Sequence, residues 1–188
     1  MSFSLADCSD GELAALALAG RQAAYRELLA RHREAVFRLV RATIGDPAEA
    51  IDVTQEAFIS AFAALKRYDP DRPFIAWLKR IALNKCRDWA RRRSVRRFFS
   101  FALPIEAAET VSDDSIPADQ QISDRAELAR VREGIARLPP ALREPLILRT
   151  IEGLTQSETA EILGISEKAV ETRIYRARRA LQADVALK

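Results

Sequence analysis

The stretch that decides the fold lies near the C-terminus and reads TQSETAEILGISEKAVETRIYRARRAL, from Thr155 to Leu181. It opens with a capping box, because Thr155 and Glu158 can satisfy each other's exposed backbone donors at the start of a helix. Gly164 then permits a tight turn, since glycine adopts positive φ at little cost. A longer helix is predicted from about Glu167. Its apolar face consists of Val170, Ile174, Ala177 and Leu181.

The remaining face of this longer helix is polar and strongly basic. A short capped helix, a turn and a second helix in this spacing indicate a helix-turn-helix. The second helix of that motif fits the major groove of DNA, where side chains reach base edges and arginines neutralise phosphates. A basic surface helix without a nucleic-acid role is the alternative, which the combination of turn, cap and core positions disfavours. The candidate DNA-contacting residues are Lys168, Glu171, Thr172, Arg173, Tyr175, Arg176, Arg178 and Arg179.

Apolar residues at helical spacing continue upstream of this motif. One stripe runs from Leu128 to Leu138 and stops at Pro139-Pro140, and another runs from Leu142 to Ile151. These stripes and the helix-turn-helix predict a helical domain over residues 121–188.

The N-terminal half predicts a second helical domain, over residues 1–97. Ser9 and Glu12 form another capping box, and Gly45 is a natural helix stop. Asp46-Pro47 begins the next helix, and residues 68–73 read as a loop. Since no stretch requires a strand, the predicted fold class is all-α, with two small helical domains.

Charge divides the chain into basic, acidic and basic blocks. Residues 85–97 and 168–179 are basic, whereas acids dominate residues 106–127. Residues 98–120 show neither helical nor strand periodicity, so we interpret them as a flexible acidic linker. The pattern suggests two polyanion-binding modules joined by an anionic connector, although each charge run alone could be a solvated face.

Composition excludes several classes of protein. The chain of 188 residues is 48% hydrophobic and 30% charged, with no run long enough to span a membrane. The N-terminus lacks the pattern of a signal peptide, and the two cysteines lie far apart without metal-ligand spacing. We therefore expect a cytoplasmic protein without membrane insertion, metal or cofactor. The lone His32 has no catalytic partner in motif spacing, and no glycine-rich phosphate loop occurs, so an enzyme is not expected.

Taken together, the two predicted domains resemble sigma factors of bacterial RNA polymerase, of the extracytoplasmic function (ECF) subfamily. Residues 52–58 (DVTQEAF) are similar to a helix of that family's conserved region 2, and residues 74–88 (FIAWLKRIALNKCRD) to its promoter-melting and −10-reading segment. Leu138-Pro139, residues 152–155 (EGLT) and residues 170–178 (VETRIYRAR) are similar to region 4. The resemblance covers nearly the whole chain, in the family's order and separation.

The resemblance implies a role for each region. The basic helix of the second domain would read the −35 promoter element, and the first domain would hold the −10 element. By the same implication, candidate −10 residues are Asp71, Arg72, Lys79, Arg80, Asn84, Lys85, Arg87 and Asp88, with Arg91, Arg92 and Arg93 on phosphates. Trp77 and Trp89 could stack on bases, but their apolar spacing favours the core.

The resemblance also implies protein partners. Core RNA polymerase would be bound through its β′ clamp helices and β flap, and an anti-sigma factor would hold the protein inactive. Residues placed by the resemblance on the clamp helices are Asp52, Gln55, Glu56 and Phe58. The acidic linker would follow the polymerase's RNA-exit path. An autonomous operator-binding regulator with the same helix-turn-helix remains the alternative, although it would not explain the basic, aromatic first domain.

Overall fold

The computed structural model describes residues 4–102 and 129–186, here called the first part and the second part, and every regular element in both is helical. The first part contains α1 (Asp10–Leu18), α2 (Gln22–Ile44), α3 (Pro47–Ala63) and α4 (Phe74–Ala102). The second part contains α5 (129–137), α6 (Pro140–Thr150), α7 (Gln156–Leu163) and α8 (Glu167–Ala186). Within these two ranges the all-α prediction is confirmed.

The helix boundaries of the first part follow from local chemistry. The predicted capping box at α1 is present, with Ser9 Oγ accepting from the Glu12 N–H at 3.2 Å and Glu12 Oε2 accepting from the Ser9 N–H at 2.7 Å. Gly45 ends α2 in the left-handed conformation, with φ at 77°. Asp46 caps α3 through the N–H groups of Ala48 and Glu49, at 3.1 and 3.2 Å.

The core of the first part lies between α2, α3 and α4, with α1 packed against α2. Its fully buried large side chains include Leu28, Val36, Val40, Val53, Phe74 and Leu78. Each such side chain stabilises the fold by about 1.5–3 kcal/mol through removal of apolar surface from water. His32 lies at the edge of this core, with its ring against Phe74 and Nε2 2.8 Å from Asp10 Oδ2, so it ties α2 to α1.

The prediction that the linker begins at residue 98 is wrong at its start. Helix α4 continues through the arginine run to Ala102, so residues 98–102 are helical. These residues read FFSFA, and three phenylalanines within four positions do not form the apolar stripe of an amphipathic helix, which is why the sequence pattern did not reveal them. The acidic stretch predicted as a flexible linker lies largely outside the described residues.

The second part shows the predicted helix-turn-helix. Thr155 Oγ1 accepts from the Glu158 N–H at 3.2 Å, and Glu158 Oε2 accepts from the Thr155 N–H at 2.7 Å, which confirms the second capping box. Gly164 turns the chain with φ at 66°, and Val170 is completely buried between the helices. Together α6, α7 and α8 form a compact three-helix contact, with α6 and α7 both packed on α8.

The two parts pack directly against each other. A shared cluster joins Leu39 of α2 and Leu83 of α4 to Ile147, Leu148 and Ile162 of the second part. These five side chains are at most 3% exposed. Helix α4 therefore contacts the second part mainly through α7, and α2 contacts it through α6. No helix in the described ranges has the length and apolarity needed to cross a membrane.

Candidate nucleic-acid interface

Helix α8 presents the predicted DNA-contacting face to solvent. Its buried side is held by Val170 and Ala177, both 0% exposed, with Ile174 and Leu181 packed beside them. Of the predicted residues only Arg173 is half-buried. The others are exposed, namely Lys168, Glu171, Thr172, Tyr175, Arg176, Arg178 and Arg179.

Contacts within α8 organise this exposed face. Lys168 Nζ lies 2.8 Å from Glu171 Oε2, and Arg179 lies over the ring of Tyr175 at 6.0 Å. The pair of opposite charges is solvent-exposed and contributes little to stability. Either partner can therefore exchange its contact for a base edge or a phosphate at small cost.

Helix α7 fixes the position of α8. Ser166 Oγ accepts from the Ala169 N–H at 3.2 Å and caps the first turn of α8. Gln156 Nε2 donates to the Glu167 carbonyl at 3.1 Å, so the first turn of α7 is bonded to the first turn of α8. The N-terminal half of α8, which would contact base edges, is thus anchored from both sides.

A second polar surface follows the loop before α4 and the outer side of that helix. In the loop, the Asp71 N–H donates to Asp69 Oδ1 at 3.1 Å, and Arg72 Nε lies 3.5 Å from Asp69 Oδ2. The exposed members on α4 are Arg80, Asn84, Arg91, Arg92 and Arg93, while Lys85, Arg87 and Asp88 are half-buried.

Several arginines near the end of α4 pair with acids. Arg91 bonds to Asp88, Arg92 Nη2 lies 3.0 Å from Glu56 Oε2, and Arg93 Nη1 lies 3.8 Å from Asp46 Oδ2. These side chains remain about half exposed or more, so solvent and salt screen the pairs. The cationic surface is therefore available to phosphates.

Both tryptophans belong to the apolar packing, as their spacing indicates. Trp89 is 7% exposed, and its Nε1 donates to Glu49 Oε2 at 2.7 Å. Trp77 is half-buried against Tyr68 and Phe74, with ring centroids 5.4 and 5.5 Å away. Trp77 thus remains partly accessible to solvent, whereas Trp89 is covered.

Four of the predicted −10 residues contact the second part, and the first is Arg72 of the loop, whose Nη1 lies 3.7 Å from Glu161 Oε1. Lys79 Nζ lies 2.8 Å from Glu152 Oε2, and Arg80 donates to the carbonyls of Ile162, at 3.0 Å, and Glu161. Arg87 makes a two-pronged pair with Glu144, with Nε 2.7 Å from Oε1. Hydrogen bonding to Glu144 raises the pKa of Arg87, which therefore stays charged.

The residues of α3 placed on the polymerase differ in exposure. Asp52 and Gln55 are exposed, Glu56 is half-buried beside Arg92, and Phe58 is 4% exposed. Phe58 packs in the core and forms the floor of a groove of about 800 Å³ between α2 and α3. The apolar rim of this groove is Leu29, Phe37, Ile51, Ile59 and Phe62.

Sequence reasoning missed the acids that meet α4. Glu144 is 3% exposed, and the side chain of Glu152 is 1% exposed. Glu144 stands inside the apolar stretch LREPLIL, and an ionisable residue in such a stretch is a signal for a buried pair. Its partner Arg87 is distant in sequence, so the pair itself could not be identified.

The described residues contain no group of three His, Cys, Asp or Glu side chains that could hold a metal ion. Both cysteines are buried and unpaired with each other. Burial raises the pKa of the Cys86 thiol to about 12, so it is protonated at neutral pH.

Comparison with known proteins connects both surfaces to transcription. Residues 28–96 match the family model of sigma-70 region 2, and residues 128–181 match that of sigma-70, region 4. The chain is 44% identical over 178 residues to the RNA polymerase sigma factor CnrH of Cupriavidus metallidurans, covering 93% of each protein. It is 32% identical over 173 residues to the ECF RNA polymerase sigma factor SigW of Bacillus subtilis, covering 87% of this chain and 89% of SigW.

A solved structure shares the arrangement of helices. The structure of CnrH in complex with the cytosolic domain of CnrY matches this chain with a TM-score of 0.67 and 37% sequence identity. The match covers 95% of this chain and 98% of CnrH, so it includes both described parts.

Proposed function

Because this chain belongs to the ECF family of RNA polymerase sigma factors, we propose that it reads the −35 element with α8 and the −10 element with the loop at 68–73 and α4. One observation carries the proposal: two separate helices, one in each part, present cationic side chains in the segments that match regions 2 and 4. A promoter offers two such elements on one duplex. Core polymerase would hold the two surfaces at the right separation.

At the −35 element, the first half of α8 would contact bases and the later arginines would contact phosphates. Glu171 can accept from a cytosine amino group, and Arg173 or Arg176 can pair with guanine through two hydrogen bonds. Arg178 and Arg179 lie further along the helix and suit phosphates.

At the −10 element, flipping a base out of the duplex costs unstacking free energy. Stacking on protein side chains and contacts in a pocket would have to offset that cost. Arg72 of the loop lines the same cavity as the partly exposed Trp77, and Tyr68 Oη donates to the Arg72 carbonyl at 2.7 Å, which fixes the loop. Charged residues of α4 would hold the backbone of the opened strand. These are Lys79, Arg80, Lys85, Arg87, Arg91, Arg92 and Arg93, with Asn84 and Asp88 beside them.

Core polymerase would dock on α3. Asp52, Gln55 and Glu56 lie on neighbouring turns, within reach of one partner helix, and the apolar groove next to them suits a helical segment. Phe58 would contribute mainly by shaping the site, because its buried side chain forms the floor of the groove in which the partner helix would lie.

Replacing Gln55 and Glu56 with alanine tests the docking surface. We expect affinity for core polymerase to fall about tenfold, which corresponds to a loss of about 1.4 kcal/mol, while helix content is unchanged. Affinity can be measured by fluorescence anisotropy and helix content by circular dichroism. The matched control is Gln22→Ala with Glu133→Ala, which removes the same side chains from α2 and α5. Wild-type affinity of the Gln55, Glu56 variant would refute the docking assignment.

We further infer that an anti-sigma factor controls the chain. The support is the relative CnrH, which has been solved in complex with the cytosolic domain of another protein, CnrY. The protein would work in the cytoplasm as an initiation factor that itself catalyses no reaction. The acidic stretch between the matched regions would lie in the polymerase's RNA-exit path, where reversing its charges should reduce initiation more than promoter binding.

Run-off transcription with core polymerase and a promoter library tests the proposed function as a whole. We expect specific transcripts whose promoters share two elements. Duplex binding of the chain alone, with the same affinity and specificity as in the presence of core polymerase, would favour an autonomous operator-binding regulator. Absence of any opened promoter would overturn the sigma assignment of both surfaces.

A further inference from the structure

The contact between the two parts is built from charges that the proposed −10 surface also needs. Lys79, Arg80 and Arg87 of α4 meet Glu152, the C-terminal carbonyls of α7, and Glu144, respectively. We call these three contacts the latch. Each takes a cation of the first part and satisfies it with oxygen atoms of the second part.

The two acids of the latch are buried, which distinguishes them from the acids that pair with Arg91, Arg92 and Arg93. The side chains of Lys79 and Glu152 are 6% and 1% exposed, and that of Glu144 is 3% exposed. Burying a carboxylate is costly unless a cation and hydrogen bonds compensate. Glu152 Oε1 has no hydrogen-bond partner, and Arg38 Nε of α2 lies 4.0 Å from it, beyond hydrogen-bonding distance. Glu152 therefore depends on Lys79.

The apolar shared cluster lies next to the latch and is completed by the same approach of the two parts. Leu83 lies on the same helix as the three cations of the latch and packs in one cluster with Ile147, Leu148 and Ile162 of the second part. Separation would expose this apolar surface together with two acids. The contact thus combines hydrophobic burial with charge pairing over one face of α4.

We propose that the free chain closes on itself through the latch, and that Glu144 and Glu152 occupy there the cations that would otherwise hold promoter DNA. This proposal rests on the proposed function of α4. The carboxylates stand where phosphates would bind, so the closed arrangement and −10 binding exclude each other. The DNA-contacting face of α8 remains exposed in the closed arrangement. Closure therefore blocks one promoter surface and leaves the other open.

The first experiment measures closure without DNA. Small-angle X-ray scattering of the full chain compares the wild type with the double variant Glu144→Gln, Glu152→Gln. We expect a compact wild type and a larger radius of gyration for the variant, because both buried pairs lose their anion. The control is Glu133→Gln with Glu167→Gln, which makes the same charge change at exposed sites. An equal radius of gyration for wild type and variant would overturn the proposal, as would a wild type already as extended as the variant.

A charge swap tests the pair itself. Glu144→Arg alone places two cations opposite each other and should expand the chain, whereas Glu144→Arg together with Arg87→Glu should restore compactness. Circular dichroism identifies any variant that has lost its helices. In that case the radius of gyration of the double variant Glu144→Gln, Glu152→Gln tests the proposal instead. Failure of the swap to restore compactness in folded protein would show that closure does not depend on this pair.

The second experiment uses a fluorescent single-stranded DNA of 20 nucleotides and mixed sequence as the probe. If the wild type is closed in about nine molecules of ten, opening should increase affinity about tenfold, because apparent affinity scales with the competent fraction. The control variant should change affinity much less. Expansion without tighter DNA binding would support closure through the latch but refute the −10 role of α4. Tighter binding without expansion would overturn the latch.

Discussion

The two parts of the molecule differ in how far each completes its own core. The buried cluster of the first part consists of residues from that part alone, with helices α2, α3 and α4 around it. The second part has its own small cluster of Leu138, Leu146 and Ala177, whereas its Ile147, Leu148 and Ile162 pack in a cluster with side chains of α2 and α4. A small helical unit buries little apolar surface by itself. The second part therefore gains more from the contact than the first.

The same asymmetry separates the two DNA surfaces. Cations of α4 are engaged by the second part, whereas the face of α8 is open to solvent. If the proposed assignments hold, α8 can read the −35 element without rearrangement, whereas α4 can read the −10 element only after the parts separate.

The largest expected effect breaks the shared cluster from the side of the first part. Leu83→Ala removes a side chain that is 1% exposed, and we expect a loss of about 2–5 kcal/mol in the free energy of unfolding. If packing against α4 stabilises the second part, amide protection should fall in α6 and α7, although the substitution lies in the first part. Urea unfolding and hydrogen exchange with mass spectrometry measure the two effects.

Leu28→Ala is the matched control for that substitution. Leu28 is 0% exposed and lies in the core of the first part, so the same atoms are removed from a comparable environment. Its effect on protection should be concentrated in α2, α3 and α4. If both variants changed the protection of α6 and α7 equally, the two parts would form one cooperative unit and the comparison above would fail.

Local signals predicted most of the fold. The capping boxes at Ser9 and Thr155, and the glycine stops at Gly45 and Gly164, each act within a few residues, so the sequence alone reveals them. The apolar face of α8 followed from its periodicity for the same reason. The end of α4 was misjudged because residues 98–102 (FFSFA) have no polar face and thus no apolar stripe with helical periodicity.

Long-range pairing could not be predicted in the same way. Lys79 and Arg87 were assigned to the −10 element by the family resemblance, but their buried partners Glu152 and Glu144 lie far along the chain in the second part. The neighbouring sequence does not distinguish a cationic side chain that binds phosphate from one that neutralises a buried carboxylate. The assignment of individual −10, −35 and polymerase-contacting residues stays a prediction.

A smaller effect sharpens the comparison on the side of α8. Arg176→Ala should weaken promoter binding by about 1–3 kcal/mol if the guanidinium contacts a base, and should instead reduce the salt dependence if it contacts phosphate. Because the residue is exposed, the effect should be the same in the wild-type chain and in the variant with Glu144→Gln and Glu152→Gln. Titrations at several salt concentrations, with duplex promoter and core polymerase, measure it.

Gln182→Ala, at an exposed position later on α8, serves as the control for Arg176→Ala. Binding unchanged at every salt concentration would remove Arg176 from the interface. An effect that appears only after the latch is opened would show that the α8 surface is not independent of closure.

The smallest expected effect concerns the capping box, which occurs in both parts. Hydrogen bonds from the backbone N–H and hydroxyl of Ser9 lower the pKa of Glu12, and those of Thr155 lower the pKa of Glu158 in the same way, from 4.5. A lowered pKa in the folded state stabilises the fold above the unfolded value and loses that contribution as pH falls through the folded value. Glu12→Gln and Glu158→Gln should therefore lower stability at pH 7 and converge on the wild type below pH 4.5.

Both carboxylates are exposed, so the differences should be small and weaker in high salt. Urea unfolding between pH 7 and pH 3 measures them, with Glu133→Gln as a control that lies outside any capping box. Since α7 also carries Ile162 into the shared cluster, the Glu158 variant should lower amide protection in α7 more than the Glu12 variant lowers it in α1. A difference from the wild type that stays constant down to pH 3 would show that the charge does not stabilise the cap. Equal losses of amide protection in α1 and α7 would contradict this expectation. They would show that the packing of α7 against the first part does not make its capping box more important.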